Sequence, residues 1–80
     1  MMKINVKLFS VLRQYVAGYD AERGLDVELA PGMMVRDLIG RLGIPEDKAP
    51  VVSCEGRILK HSDLLRDGSV LHIFQPVSGG

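Results

Sequence analysis

The chain closes on Gln75-Pro76-Val77-Ser78-Gly79-Gly80. The chemistry offered there is that of a terminal carboxylate on a residue without a Cβ. Glycine adopts backbone dihedrals that other residues avoid. A Gly79-Gly80 pair can therefore thread a narrow channel and place its carboxyl carbon deep inside another protein's site. Pro76 removes a ladder donor, and Ser78-Gly79-Gly80 gives nothing to a core. Residues 76–80 are thus expected to project into solvent as a reactive tail. The plainer reading is a frayed end; the pair gains weight from following a final strand on a very small domain.

Other reactive side chains are few. One cysteine, Cys54, excludes an internal disulfide framework and a four-thiolate iron–sulfur site. It lies in an apolar stretch and reads as a buried structural thiol rather than a nucleophile or ligand. His61 and His72 carry no Cys or carboxylate pattern, so both read as surface histidines and no metal site is expected. The 80 residues hold 10 Lys+Arg against 10 Asp+Glu, for zero net charge. That balance argues against nucleic-acid binding, which needs excess positive charge. No Trp, two Tyr and two Phe leave little for base stacking. No apolar run approaches the ~20 residues of a membrane span, and Met1-Met2-Lys3-Ile4-Asn5 lacks a signal-peptide layout. A cytoplasmic location is expected.

The elements that must position the tail form one domain, residues 1–80. Ile4, Val6 and Leu8 alternate with Asn5 and Lys7, the period of a half-buried strand. Leu8, Leu12 and Tyr15 or Val16 then fall at helical spacing, which predicts a short helix over about 10–16, stopped by Gly18. Tyr19 to Gly24 is a polar loop. Leu25, Val27 and Leu29 make a second strand, ended by Pro31-Gly32. Val35, Leu38, Ile39 and Leu42 form one apolar stripe of a helix, and Gly43 with Pro45 stops it. Gly40 costs that helix ~1 kcal/mol relative to Ala, for which a close approach to the sheet would be the explanation. Pro45 to Pro50, with Glu46-Asp47-Lys48, is a solvated loop. Val51–Cys54 is a strand, Glu55-Gly56-Arg57 a turn, and Ile58-Leu59 a strand stub. Ser62 is placed to cap a single helical turn through Leu64-Leu65-Arg66. Asp67-Gly68 turns the chain into a last strand, Val70 to Phe74. Several strands wrapped on one amphipathic helix make an α+β domain.

In that strand Leu71 and Ile73 should face the core, which puts Val70, His72 and Phe74 on the other face. An apolar and aromatic group leading into a reactive tail would make a docking patch, with Phe9 as a further member. The competing reading is that the Ser10–Gly24 insert covers these residues as an extension of the core.

Glu55-Gly56-Arg57-Ile58-Leu59, Ser62-Asp63, Leu71-His72-Ile73 and Gly79-Gly80 resemble the last third of ubiquitin. The whole chain is more similar to the small ubiquitin-like sulfur carriers, the MoaD and ThiS types. The matching parts are the strand Lys3–Phe9, the helix Val35–Leu42, Leu65-Arg66-Asp67-Gly68-Ser69-Val70, and the tail Pro76-Val77-Ser78-Gly79-Gly80. The Ser10–Gly24 insert and the form of the ending favour the molybdopterin-synthase type. Gln75, and the turn at Ser53-Cys54-Glu55-Gly56, depart from that type.

The resemblance implies a β-grasp fold: a mixed sheet of four to five strands on one main helix, with a flexible Gly-Gly tail. It also implies a sulfur carrier that is no enzyme on its own. An E1-like adenylating partner, of the MoeB or ThiF type, would use ATP and Mg²⁺ to activate the Gly80 carboxylate. A persulfide donor would convert it to a thiocarboxylate. The large synthase subunit, of the MoaE type, would receive the sulfur onto a pterin precursor. Gly80 would bear the reacting carbon and Gly79 give access, while Phe74, His72, Val70, Pro76, Val77, Ser78 and Phe9 would meet partners. No cofactor, nucleic acid or membrane is implied for the carrier. Sulfur donation to a thiamine thiazole or to tRNA, and conjugation as a protein modifier, remain the alternatives.

Overall fold

A computed structural model describes residues 1–76 of the chain. Five strands form one sheet: β1 (Met2–Leu8), β2 (Leu25–Leu29), β3 (Val51–Cys54), β4 (Arg57–Leu59) and β5 (Val70–Phe74). Their order across the sheet is β2-β1-β5-β3-β4. One helix, α1 (Val35–Arg41), lies between β2 and β3 in the chain. The central pair, β1 and β5, is parallel, and the other three pairings are antiparallel. This is the mixed sheet and single main helix of a ubiquitin-like β-grasp.

The alternation read along β1 sets its faces. Met2, Ile4, Val6 and Leu8 are buried, whereas Lys3, Asn5 and Lys7 point outward. Register carries that parity across the sheet, since Val6 pairs with Leu71 and Leu8 with Ile73. Helix α1 adds Val35, Leu38 and Ile39 to the same core cluster. Each fully buried aliphatic side chain is worth about 1.5–3 kcal/mol of transfer free energy. The core is made of Met, Ile, Leu and Val alone; both Phe residues stay outside it.

The short helix expected after β1 is present over Ser10–Tyr15 and is of the 3-10 type. Leu12 drops fully into the core, with Tyr15, Val16 and Tyr19 packed against it. The insert also finishes the end of β1, where pairing with β2 has stopped at Val6. There the Leu8 N–H donates to the Tyr19 hydroxyl at 2.7 Å, and Arg13 Nε donates to the Leu8 carbonyl at 3.1 Å. Two side chains thus stand in for the missing strand neighbour, since buried backbone groups need partners.

Residues 62–66 do not form the expected helical turn; Ser62 and Asp63 lie in a turn closed by the Asp63 N–H on the Lys60 carbonyl, and Leu64 makes an isolated antiparallel bridge with Met34, just before α1. Their backbone is committed elsewhere. The Val35 N–H donates to the Asp63 carbonyl and the Arg36 N–H to the His61 carbonyl, both at 2.9 Å, while the Leu65 N–H donates to Met33. The first two bonds satisfy helix N–H groups that have no intrahelical partner. Asp37 completes the end by accepting the Met34 N–H at 2.7 Å. Gly40 is a second correction. It is exposed, and a Cβ built there would meet nothing within 4 Å, so no close approach to the sheet requires it. Glu46–Lys48 is exposed or nearly so, but coils into a single 3-10 turn. Cys54 is half-buried against the core rather than fully enclosed.

Candidate docking face and tail

Because β5 sits in the middle of the sheet, the residues it turns outward are flanked on both sides. Lys7 of β1 and Ser53 of β3 are the register partners of His72, and Ser53 in turn pairs with Ile58 of β4. Lys7, His72, Ser53 and Ile58 therefore form one row on the outward face, with strands about 4.8 Å apart. In the next row Phe74 pairs with Val51, and on the other side Val70 pairs with Asn5. Phe9, just past β1, closes on this group: its ring meets the His72 ring edge-on, with centroids 5.7 Å apart and planes at 75°. Edge-to-face pairs of this kind are favoured by the ring quadrupoles.

The face is open to solvent. Phe9 is 41% exposed, Val70 44% and Ile58 65%. His72 and Phe74 are half-buried, Phe74 more so than the sequence suggests, because Val51 lies beside it. The insert does not blanket this surface; its apolar residues Leu12, Tyr15, Val16 and Tyr19 are spent on the core side. The apolar half over β5, β3 and β4 gives way to a charged half over β1 and β2. There Lys3 pairs with Glu28, and Asn5 pairs with Asp26 and also donates to its carboxylate at 3.0 Å. Lys7 Nζ is drawn toward the Glu22 carbonyl at 3.3 Å.

The structure brings together four of the residues singled out for docking: Val70, His72, Phe74 and Phe9. Pro76 is exposed and follows a half-buried Gln75 at the end of β5. Val77, Ser78, Gly79 and Gly80 lie outside the described residues. Sequence reasoning missed Ile58, Val51 and Ser53 as members of the face. The signal was present: the two-residue Glu55-Gly56 loop fixes Cys54 opposite Arg57, which by parity turns Ser53 and Ile58 outward. His61 is exposed, and its Nε2 lies 2.9 Å from the Pro50 carbonyl. Among the described residues no group of three His, Cys, Asp or Glu side chains is placed to hold a metal ion. Among them, too, no helix is long and apolar enough to cross a membrane.

Comparison with known proteins follows the same geometry. The chain matches the model of the ThiS family over residues 6–80. It is similar to a solved Pyrococcus furiosus protein provisionally named molybdopterin converting factor, subunit 1. The two share 30% identity over 96% of this chain and 100% of that one, with a TM-score of 0.75. Small archaeal modifier protein 1 of Haloferax volcanii shares 20% identity over 96% of this chain and 100% of its own, with a TM-score of 0.72. A ubiquitin of Caldiarchaeum subterraneum shares 23% over 99% and 98%, with a TM-score of 0.61. The last two share the fold. No curated protein matches the chain.

Proposed function

The chain belongs to the ThiS family of small ubiquitin-like sulfur carriers, and on that premise we propose that Gly80 is loaded with sulfur and delivers it to a pterin precursor in molybdopterin synthesis. The observation that carries this reading is the span of the family match, which runs through the tail to residue 80. The pterin acceptor is supported by the likeness to the Pyrococcus furiosus converting-factor subunit at 30% identity.

A carboxylate resists attack, because its charge repels nucleophiles and its leaving group would be oxide. An adenylating partner removes both obstacles. A Gly80 carboxylate oxygen attacks the α-phosphorus of ATP, pyrophosphate departs, and the acyl carbon now carries AMP as a leaving group. A persulfide sulfur displaces AMP to give an acyl disulfide. A second thiol cleaves that disulfide, is itself oxidised, and leaves the thiocarboxylate. This carrier contributes reach and a handle rather than acid–base chemistry. Gly79 and Gly80 fit a narrow channel, and the face around Val70, His72 and Phe74 docks the domain at its mouth.

Thiazole synthesis is the second reading, favoured by the family's own name and by Gln75. Both readings are tested by incubating the full chain with its adenylating enzyme, ATP, Mg²⁺ and a persulfide donor. Intact mass should show sulfur replacing one oxygen at Gly80. Deletion of Gly80 should abolish loading with the fold intact; a thiocarboxylate on the shortened chain would refute the mechanism. Co-purification then separates the acceptors, a pterin-binding large subunit for the first reading and a thiazole synthase for the second.

A further inference from the structure

Phe9 stands one residue beyond a strand end that is closed by side chains. Along β1 the odd-numbered residues bond toward β5: the Lys3 carbonyl accepts from Gly68, the Asn5 N–H donates to Ser69, and the Phe9 N–H donates to Ile73. Even-numbered residues therefore turn their N–H and C=O groups toward β2, and that neighbour stops opposite Val6. Leu8 is the next even residue and is only 1% exposed, so water does not replace the missing strand. Tyr19 and Arg13, both from the Ser10–Gly24 insert, take its two groups, the hydroxyl accepting the N–H and Nε donating to the carbonyl. Phe9 follows in extended conformation, φ −121° and ψ 147°, with its carbonyl accepting the Leu12 N–H at 3.2 Å. Ser10 then leaves the strand at φ +56°, a left-handed conformation that persists only where the surroundings impose it.

The Phe9 ring is 41% exposed and meets the His72 ring at its edge. A ring so open gets little hold from packing, and its direction is set by its backbone. Loss of either bond to Leu8 leaves a buried polar group without a partner, which is costly. The strand end then gains by opening toward water, and Phe9 swings off His72 with it. We propose that Tyr19 and Arg13 are positioning residues for sulfur loading: they act through Phe9, holding the end of β1 so that the ring stands ready on the docking face. The insert then serves recognition as well as the core that receives Leu12. This rests on the docking face and on the loading of Gly80 proposed above.

Steady-state loading of the full chain by its adenylating enzyme, with ATP, Mg²⁺ and a persulfide donor and the carrier concentration varied, tests it. Tyr19→Phe keeps the packed ring and removes only the hydroxyl. It should raise the KM for the carrier about fivefold with kcat unchanged, the sign of lost docking rather than lost chemistry. Arg13→Ala should act in the same direction; Arg13 is exposed, so this variant keeps the test open should Tyr19→Phe not fold. Phe9→Ala should raise KM about tenfold, and Tyr19→Phe/Phe9→Ala should be no worse, since no ring is left to position. In the free chain, both single variants should weaken the Phe9–His72 ring contact seen by NMR and speed exchange of the Leu8 amide about tenfold. A KM effect of Tyr19→Phe that multiplies with that of Phe9→Ala overturns the inference, as does an unchanged KM with an undiminished ring contact. Either result leaves the docking role of Phe9 standing. A wild-type KM in Phe9→Ala overturns that role with it, and a wild-type chain that never acquires sulfur overturns the loading of Gly80.

Discussion

Strand β5 buries Leu71 and Ile73 to 1% and 0% exposure, while the residues that alternate with them, Val70, His72 and Phe74, keep contact with solvent. The two faces of this one strand differ in chemistry as well as in burial. Inward, β5 presents only aliphatic side chains, like the rest of the core. Outward, it presents an aromatic ring, an imidazole and a single Val, and Phe9 joins them from just past β1. A core filled by Met, Ile, Leu and Val has no need of the large, stiff aromatic surfaces. Tyr15 and Tyr19 pack against its edge, while both Phe residues stand on the outward side, and aromatic residues are enriched at interfaces. Stability and the docking role proposed above thereby fall on alternate residues of a five-residue segment.

The sharpest way to break this comparison is to truncate each face in turn. Ile73→Ala removes a fully buried side chain paired with Leu8 and Val52. It should cost about 3 kcal/mol, a large share of a margin on the order of 5 kcal/mol for so small a domain. The midpoint of urea unfolding measures this, and a loss below ~1 kcal/mol would mean the inward face is not the stabilising one. Phe74→Ala should do the reverse. Partner affinity should fall about tenfold, near 1.4 kcal/mol, with a smaller change in the unfolding midpoint. A stability loss exceeding the binding loss would reassign Phe74 to the core and merge the two faces.

How much of this division was legible in the sequence depends on where the controlling interaction lies. The period-two alternation of β1 and β5 is local, and it fixed the parity of Ile4, Val6, Leu71 and Ile73 directly. The stripe Val35, Leu38, Ile39 and Leu42 did the same for α1. Residues 62–66 depart from the local pattern because their backbone is recruited by the distant helix start, through the Val35 N–H on the Asp63 carbonyl and the Leu65 N–H on the Met33 carbonyl. No propensity within Ser62-Asp63-Leu64-Leu65-Arg66 encodes that recruitment. Tyr19 and Arg13 were passed over for a related reason: their bonds to Leu8 bridge 11 and 5 positions in sequence. The docking group itself was readable as a parity, but not as an area. Ile58 and Val51 enter it only once strand order is known, and strand order is a property of the whole sheet.

Helix α1 carries the same inward and outward division, and its outward side offers the smallest and cleanest test. Leu38 and Ile39 are in the core, whereas Gly40 is exposed with open space where a Cβ would stand. Its backbone is helical, so an L side chain is accommodated without strain. Gly40→Ala then acts mainly by narrowing the unfolded chain's freedom, for a gain of about 1 kcal/mol. In a domain of this size that is a rise of roughly 4–8 °C in Tm. The position belongs neither to the core nor to the outward sheet face, so partner affinity and sulfur loading should stay unchanged. The pair of measurements matters more than either alone. A stabilised domain that docks as before shows that affinity does not simply follow stability, which is what the contrast between Ile73 and Phe74 requires. Weakened docking in the stabilised variant would extend the partner's footprint around to α1 and end the assignment of recognition to one side of the sheet.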